Sequence, residues 1–196
     1  MAPIKSLHKN ESALIGSIIG ESFTGDPVNS WIFGDETDTL QAFYALLAKK
    51  LYLRKGFGHI TQCHSAGTLW LSPHVRKHIP IYRSLDIAWL MATRSGITSL
   101  QRGMSIDHTL DLKRPLVPHY YLFAIGTLPN SQGKGLGGML MEAGLERADR
   151  ERMPAYLESS KESNIPFYRH FGFEIVEEVK ATPEAPSLWL MWREAS

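Results

Sequence analysis

The sequence predicts a single α/β domain, and three observations predict it. Three long segments carry apolar residues at helical spacing, several short runs have the composition of strands, and a glycine-rich turn joins a continuously apolar strand to an amphipathic helix. At 196 residues, 43% apolar and 21% charged, the chain is long enough to bury a core without staples and has the composition of an ordinary globular protein. Its net charge of +1 gives no footprint for nucleic acid, and there is no basic tail. No apolar stretch reaches the ~18 residues of a membrane span. The start, MAPIKSLHKNESALIGSIIGESF, is too polar and too interrupted for a secretory signal. Cys63 is the only cysteine, so no internal disulfide can form and a cytoplasmic, reducing compartment is the expectation.

The elements follow in order. In residues 12–23, Leu14, Ile15, Ile18 and Ile19 recur at helical spacing, and Gly25-Asp26-Pro27 stops the segment. From Thr37 to about Arg54, Leu40, Phe43, Tyr44 and Leu47 predict a longer amphipathic helix. FGHITQCH (57–64) and GTLWLS (67–72) predict two strands joined through Ser65-Ala66-Gly67 as a hairpin. Residues 75–113 read as helical, with a break near Ser95-Gly96. HYYLFAIGTL (119–128) is too continuously apolar for a half-buried strand and predicts a central one. A helix from about Gln132 to Arg150 follows, its apolar face built from Leu136, Met139, Leu140 and Ala143. PAYLESS (154–160) is a strand. NIPFYRHFGF (164–173) is a short helix, with Pro166 in its first turn and Gly172 in the left-handed position past its end. FEIVEEVK (173–180) and SLWLMW (187–192) complete the sheet. No linker divides the chain, so residues 1–196 are one domain.

The turn LPNSQGKGLGGML (128–140) carries the chemistry. A helix N-terminus presents unpaired N–H groups and about half a positive charge, and glycines remove the side chains that would hold an anion away. A bare strand-to-helix turn would need fewer glycines for its dihedrals. Gly133, Gly135 and Gly138 also satisfy GxGxxG, with Glu158 twenty residues beyond, as a dinucleotide fingerprint asks. Against that, Pro129-Asn130-Ser131-Gln132 separate the glycines from their strand, and only 58 residues follow Gly138. The nucleoside-triphosphate motif GxxxxGK[ST] fails, because Gly135 follows Lys134 where Ser or Thr should bind magnesium.

Taken with its flanks, Gln132-Gly133-Lys134-Gly135-Leu136-Gly137 resembles the acyl-CoA signature of the GNAT superfamily of N-acyltransferases. HYYLFAIGTLPNSQGKGLGG, PAYLESSKESNIPFYRHFGFEI and WLMWR resemble its puromycin N-acetyltransferase branch, over roughly residues 118–193. The resemblance implies a mixed, mostly antiparallel sheet, splayed at its centre, with helices on both faces. It further implies an acceptor-shaping half, 1–115, and an acetyl-CoA-binding half, 116–196. Acetyl-CoA is the cosubstrate it implies, held by backbone N–H groups from Gly133 to Gly138, with Lys134 near the phosphates. The pantetheine arm would pair with Ile125, Gly126 and Thr127. Tyr168 is the implied acid for the leaving thiolate, and Asn164 a cofactor contact. These two are four apart on a short helix, so they share a face.

Two expectations come from the residues themselves. A glycine inside an apolar strand marks a bulge or a close backbone approach, so Gly126 is a candidate bulge that splays the strand. Glu158, ending the next strand near that splay, is the candidate general base, with His119 as a weaker one. Cys63 lies in an apolar strand with no reason to be a thiolate. His59 with His64 and His74 with His78 lack a third ligand pattern, so no metal is expected. Trp31, Phe33, Trp70 and Trp89 are core or pocket wall. The function expected is acetyl transfer from acetyl-CoA to a small-molecule primary amine by direct attack. A non-catalytic acyl-CoA binding or sensing module is the alternative. Acceptor identity and oligomeric state are not legible.

Overall fold

The computed structural model describes residues 4–34, 36–75, 77 and 81–195, the side chains of 81–83 excepted. Its strands are β1 (Ile4–Ser6), β2 (Gly56–Thr61), β3 (Ala66–Leu71), β4 (Tyr120–Thr127), β5 (Ala155–Ser159), β6 (Glu174–Val179) and β7 (Leu188–Arg193). They form one sheet in the order β1-β2-β3-β4-β5-β7-β6, so the continuously apolar strand β4 is central, as its sequence predicts. Every pairing is antiparallel except β4 with β5.

The helices are α1 (Ser12–Ser22), α2 (Pro27–Phe33), α3 (Thr37–Leu47), α4 (Leu53–Lys55), α5 (Ile81–Arg94), α6 (Ile97–Lys113), α7 (Leu136–Arg150) and α8 (Ile165–His170). A π-helical stretch, Ala48–Tyr52, carries α3 into α4. Helices α1 to α6 cover one face of the sheet, where Ile15, Ile19, Leu40, Tyr44 and Tyr52 pack with Tyr121, Ala124 and Tyr156. Helices α7 and α8 cover the other, where Met141, Leu145, Tyr168 and Phe173 pack with Trp70, Tyr120 and Leu122. Each face buries a continuous set of large side chains, the dominant favourable contribution to the fold.

Several local expectations need correction. The turn between β2 and β3 is Gln62–Ser65, and Ala66 and Gly67 already belong to β3, paired with Thr127 and Ile60. Thr61 decides this, because its Oγ1 accepts from the N–H groups of Ser65 and Ala66 at 3.2 Å and closes the turn early. Asp26 does more than stop α1. It caps α2, a helix the sequence reading did not find, by accepting from Val28 N at 3.1 Å and Asn29 N at 3.0 Å, with Pro27 in the first turn. Helix α7 begins at Leu136 rather than Gln132, because Pro129–Ser131 forms a 3-10 turn first. Its buried stripe is Leu136, Leu140, Met141, Gly144, Leu145 and Ala148, while Met139 and Ala143 are half-buried.

The bulge in β4 lies at Phe123, not at Gly126. Leu69 pairs with Ala124 and Trp70 with Leu122, so Phe123 is the extra residue. Phe123 and Ala124 therefore both join the core beneath α1 to α6. Gly126 sits in regular pairing opposite Gly67. Its glycine serves close approach, since a Cβ there would stand 2.0 Å from Ser22 Oγ and 3.4 Å from Ile19 Cα on α1. Gly126→Ala should therefore push α1 off the strand and cost about 1–3 kcal/mol of stability, read as a lower denaturant midpoint at unchanged slope.

The splay is present. Strands β4 and β5 pair only as far as Leu122 with Leu157. Beyond that point Glu158 and Ser159 pair with Leu190 and Trp189 of β7, and residues 123–127 have no strand opposite them on the β5 side. No helix among the described residues is long and apolar enough to cross a membrane.

Candidate active site

The glycine turn lies at the open end of this splay. Gly133 and Gly135 have φ of 74° and 76°, values an L side chain rarely adopts, and nothing lies within 4 Å of where a Cβ would stand. Gly135 is the N-cap of α7, and no side chain caps the helix. The first N–H groups of a 15-residue helix are thus left to an external acceptor, with the helix dipole behind them. Gln132 braces the turn by donating Nε2–H to Thr127 O at 3.2 Å. Lys134 folds back to donate to Asn130 O at 2.8 Å, which keeps its ammonium beside the turn. These features fit a pyrophosphate group: uncapped amides, exposed glycines and one cation.

Helix α8 packs against the first turn of α7. Phe167 and Phe171 would meet Cβ atoms on Gly137 and Gly138 at 3.6 and 3.7 Å, ordinary contact distances. The fold itself therefore admits alanine at Gly137, and any effect of that change reports on a ligand. Gly137→Ala is expected to leave the melting temperature within about 2 °C, by the usual scale of harmless substitutions. Its methyl would hold an anion off the α7 amides, so acetyl-CoA binding in calorimetry is expected to weaken by about tenfold, the order of one hydrogen bond to a charged group lengthened out of reach.

Tyr168 lies on α8, buried between Phe167 and Phe173. Burial, and then the charge of Asp26, hold its phenol well above the ordinary value near 10. Asn164 is in the N-cap position of α8 but makes no capping hydrogen bond, so its amide is not spent on the helix. Asp26 is a contributor the sequence reading missed. Fully buried, it accepts from Asn29 Nδ2 at 2.9 Å and, through Oδ2, from Ser160 Oγ at 2.5 Å, tying α2 to the end of β5. Asn29 in turn accepts from Tyr44 OH at 3.0 Å. The signal in the sequence was Asp-Pro, the helix-start pattern, read there only as a stop.

Glu158 is the first residue of β5 past its last pair with β4. Its side chain, 7% exposed, is packed among Tyr121, Tyr52, Tyr156 and Arg114. Tyr121 donates to Glu158 Oε2 at 2.5 Å, and Arg114 Nη2 is 3.7 Å from Oε1. Burial first, and Glu158 second, hold the phenols of Tyr52, Tyr121 and Tyr156 well above their ordinary range. No pattern singles out Arg114 or Tyr52, which reach Glu158 from the end of α6 and from the π-helical stretch. His119 stands instead at the paired end of β4. Its Nδ1 is 2.7 Å from Val117 O, its ring is edge-on to Tyr156 and Trp192, and burial holds it below the usual imidazole value.

The remaining candidates separate plainly. Cys63 is not in a strand: it is exposed in the β2–β3 turn, where hydrogen bonding with Ser65 and Thr61 pulls its thiol below the usual range. His59 lies on β2 and His64 in the following turn, while His78 lies outside the described residues. Among the described residues no group of three or more His, Cys, Asp or Glu is placed to hold a metal ion. Trp70 and Phe33 are core. Trp31 is half-buried with the Arg102 guanidinium 4.9 Å above its ring, and Trp89 is exposed on α5.

A splayed β4–β5 pair, with a left-handed glycine turn and an uncapped helix at its open end, is the setting of the family comparison. Residues 105–173 match the model of the Acetyltransferase (GNAT) family. That segment, about a third of the chain, is similar to the GNAT acetyltransferases. The matched span contains the turn, Glu158, Asn164 and Tyr168. An uncharacterised N-acetyltransferase of Schizosaccharomyces pombe is 40% identical over 63 residues, 32% of this chain and 26% of that protein, so the match spans about a quarter of its relative. Among solved structures, a Corynebacterium glutamicum protein described as histone acetyltransferase HPA2 and related acetyltransferase superposes with a TM-score of 0.74. It is 19% identical, with 100% of this chain and 98% of that one covered. Arylalkylamine N-acetyltransferase 2 of Aedes aegypti gives 0.68 at 14% identity, over 99% of each chain. A polyamine N-acetyltransferase of Drosophila melanogaster gives 0.62 at 14%, over 98% of this chain and 100% of that one. At these identities the likeness is one of fold.

Proposed function

We propose that this protein is a cytosolic N-acetyltransferase that moves an acetyl group from acetyl-CoA to a primary amine of a small molecule, by direct attack in a ternary complex. The observation that carries the reading is the uncapped N-terminus of α7, with its left-handed glycines, at the open end of the β4–β5 splay. The match of residues 105–173 to the GNAT family supports acyl-CoA as the ligand of that site. That structural neighbours are named for arylalkylamines and polyamines supports an amine acceptor.

When bound, acetyl-CoA supplies the acetyl group as an activated thioester. The chain does the rest. Amides from Gly133 to Gly138, including Leu136, hold the pyrophosphate, with Gln132 bracing the loop and Lys134 adding a cation. The unpaired edge of β4 at Ile125, Gly126 and Thr127 orients the pantetheine arm as an added strand would. Glu158 takes a proton from the attacking amine. Asn164 contacts the cofactor, and Tyr168 gives its hydroxyl proton to the departing sulfur. An exposed phenol near 10 is a weak donor to a thiolate near 8.5. Burial and Asp26 hold the Tyr168 phenol protonated, the form in which it can donate.

The test is free-thiol release from acetyl-CoA against puromycin, aminoglycosides, polyamines, arylalkylamines and amino acids. Release stimulated by one amine class is the expected result. Silence across the panel despite acetyl-CoA binding would favour a binding or sensing module instead.

A further inference from the structure

The two oxygens of Glu158 are not equivalent. Oε2 accepts the hydroxyl proton of Tyr121 at 2.5 Å, whereas Oε1 is buried and accepts no hydrogen bond. Arg114 Nη2 stands 3.7 Å from Oε1, near enough for its charge to act but beyond a hydrogen bond. Arg114 is fixed from both sides: Nη1 donates to Asp111 Oδ1 at 2.8 Å, and the guanidinium lies 5.5 Å from the Tyr121 ring centroid. Its Nε and Nη2 are buried without hydrogen-bond partners, as are the hydroxyls of Tyr52 and Tyr156. A carboxylate pinned by a short hydrogen bond at one oxygen keeps the other, which faces Arg114 without accepting a hydrogen bond from it, as its place to receive a proton.

We propose that Tyr121 and Arg114 are positioning residues for Glu158, holding Oε2 and the carboxylate charge so that Oε1 is the atom that accepts the proton of the attacking amine. The proposal rests on Glu158 being the base. In the step it describes, the amine nitrogen forms the new C–N bond and the C–S bond breaks. The N–H proton passes to Oε1, and Tyr168 supplies the proton that the sulfur gains. Both residues then exchange protons with solvent.

Other groups surround Glu158 and enter any pH dependence. From the π-helical stretch comes Tyr52, and from β5 itself Tyr156, on which Glu177 of β6 also acts. Helix α6 brings Asp107 and Asp111, and His119 precedes β4. Lys77 Nζ lies 5.8 Å from the Tyr121 ring centroid and 3.3 Å from Asp107 Oδ1. Both nearby cations are thus shared with aspartates, and of the two phenols that act on the carboxylate, Tyr121 and Tyr156, Tyr121 makes the short hydrogen bond.

A hydrogen bond and a cation both favour the ionised carboxylate, so removing either favours its protonated form. The base works only ionised. Tyr121→Phe and Arg114→Met should therefore move the acidic limb of kcat/KM to higher pH, by about one unit. For Tyr121→Phe the loss should be confined to the acidic limb, growing as pH falls and vanishing at pH 9. Arg114→Lys should recover part of the shift. The profile is measured as thiol release with whichever panel amine reacts fastest. A second readout needs no turnover: carboxyl carbon NMR of glutamate-labelled protein, with the Glu158 resonance assigned by its loss in Glu158→Gln. Its titration midpoint should rise in Tyr121→Phe. A midpoint and an acidic limb that stay in place, or a loss equal at every pH, would overturn the positioning role. Full turnover with the acidic limb intact in Glu158→Gln would instead overturn the base on which it rests.

Discussion

Tyr168→Phe should lower amine-dependent thiol release by about 10²–10⁴, the usual contribution of a positioned acid. Acetyl-CoA affinity should stay within about threefold, since only one hydroxyl is removed and the ring stays packed against Phe167 and Phe173. The loss belongs in kcat, because the proton is needed only as the C–S bond breaks. Its pH dependence has a definite sign. Burial and Asp26 hold the phenol above its ordinary range, so Tyr168 stays protonated as pH rises. No alkaline loss of activity from this group is then expected up to about pH 9, a unit below even an exposed phenol. Rate measurements from pH 6 to 9, alongside calorimetric titration of both proteins, check both halves. Equal turnover in the variant would remove Tyr168 from the chemistry.

Asp26→Ala is expected to have the largest effect on stability. One buried carboxylate accepts from Val28 N, Asn29 N, Asn29 Nδ2 and Ser160 Oγ. Alanine removes the cap of α2 and leaves buried donors without partners, a cost of about 2–4 kcal/mol from the cap and the stranded groups together. Denaturant unfolding reads this directly. Asp26→Asn keeps an acceptor oxygen for the cap and turns Oδ2 into an amide donor that the Ser160 hydroxyl can accept from, so it should retain most of that stability. A loss below about 0.5 kcal/mol in the alanine variant, the scale of ordinary surface substitutions, would contradict the network.

What the sequence made legible follows from how each feature is encoded. Helices α1, α3 and α7 and the central strand β4 are long or continuously apolar, so pattern alone reports them. Strand β1 has three residues and α2 seven, too short for a period to emerge. Gly126 signals that something approaches closely, but only the packing of α1 shows that it is Ser22 and not a bulge. The glycine turn is legible because its requirements are local: glycines, a strand before and a helix after. Glu158 could be placed at the splay from the order of strands, yet its partners could not. Tyr121 lies 37 residues away in sequence and Arg114 reaches it from the end of α6, pairings that exist only in the folded chain.

The most direct measurement is calorimetric titration of the protein with acetyl-CoA and, separately, with a reduced nicotinamide dinucleotide. The account predicts acetyl-CoA binding at one site per chain, weakened by Gly137→Ala, and none of the dinucleotide. Dinucleotide binding without acetyl-CoA binding, or binding of neither, would contradict the assignment of the α7 turn as an acyl-CoA cradle.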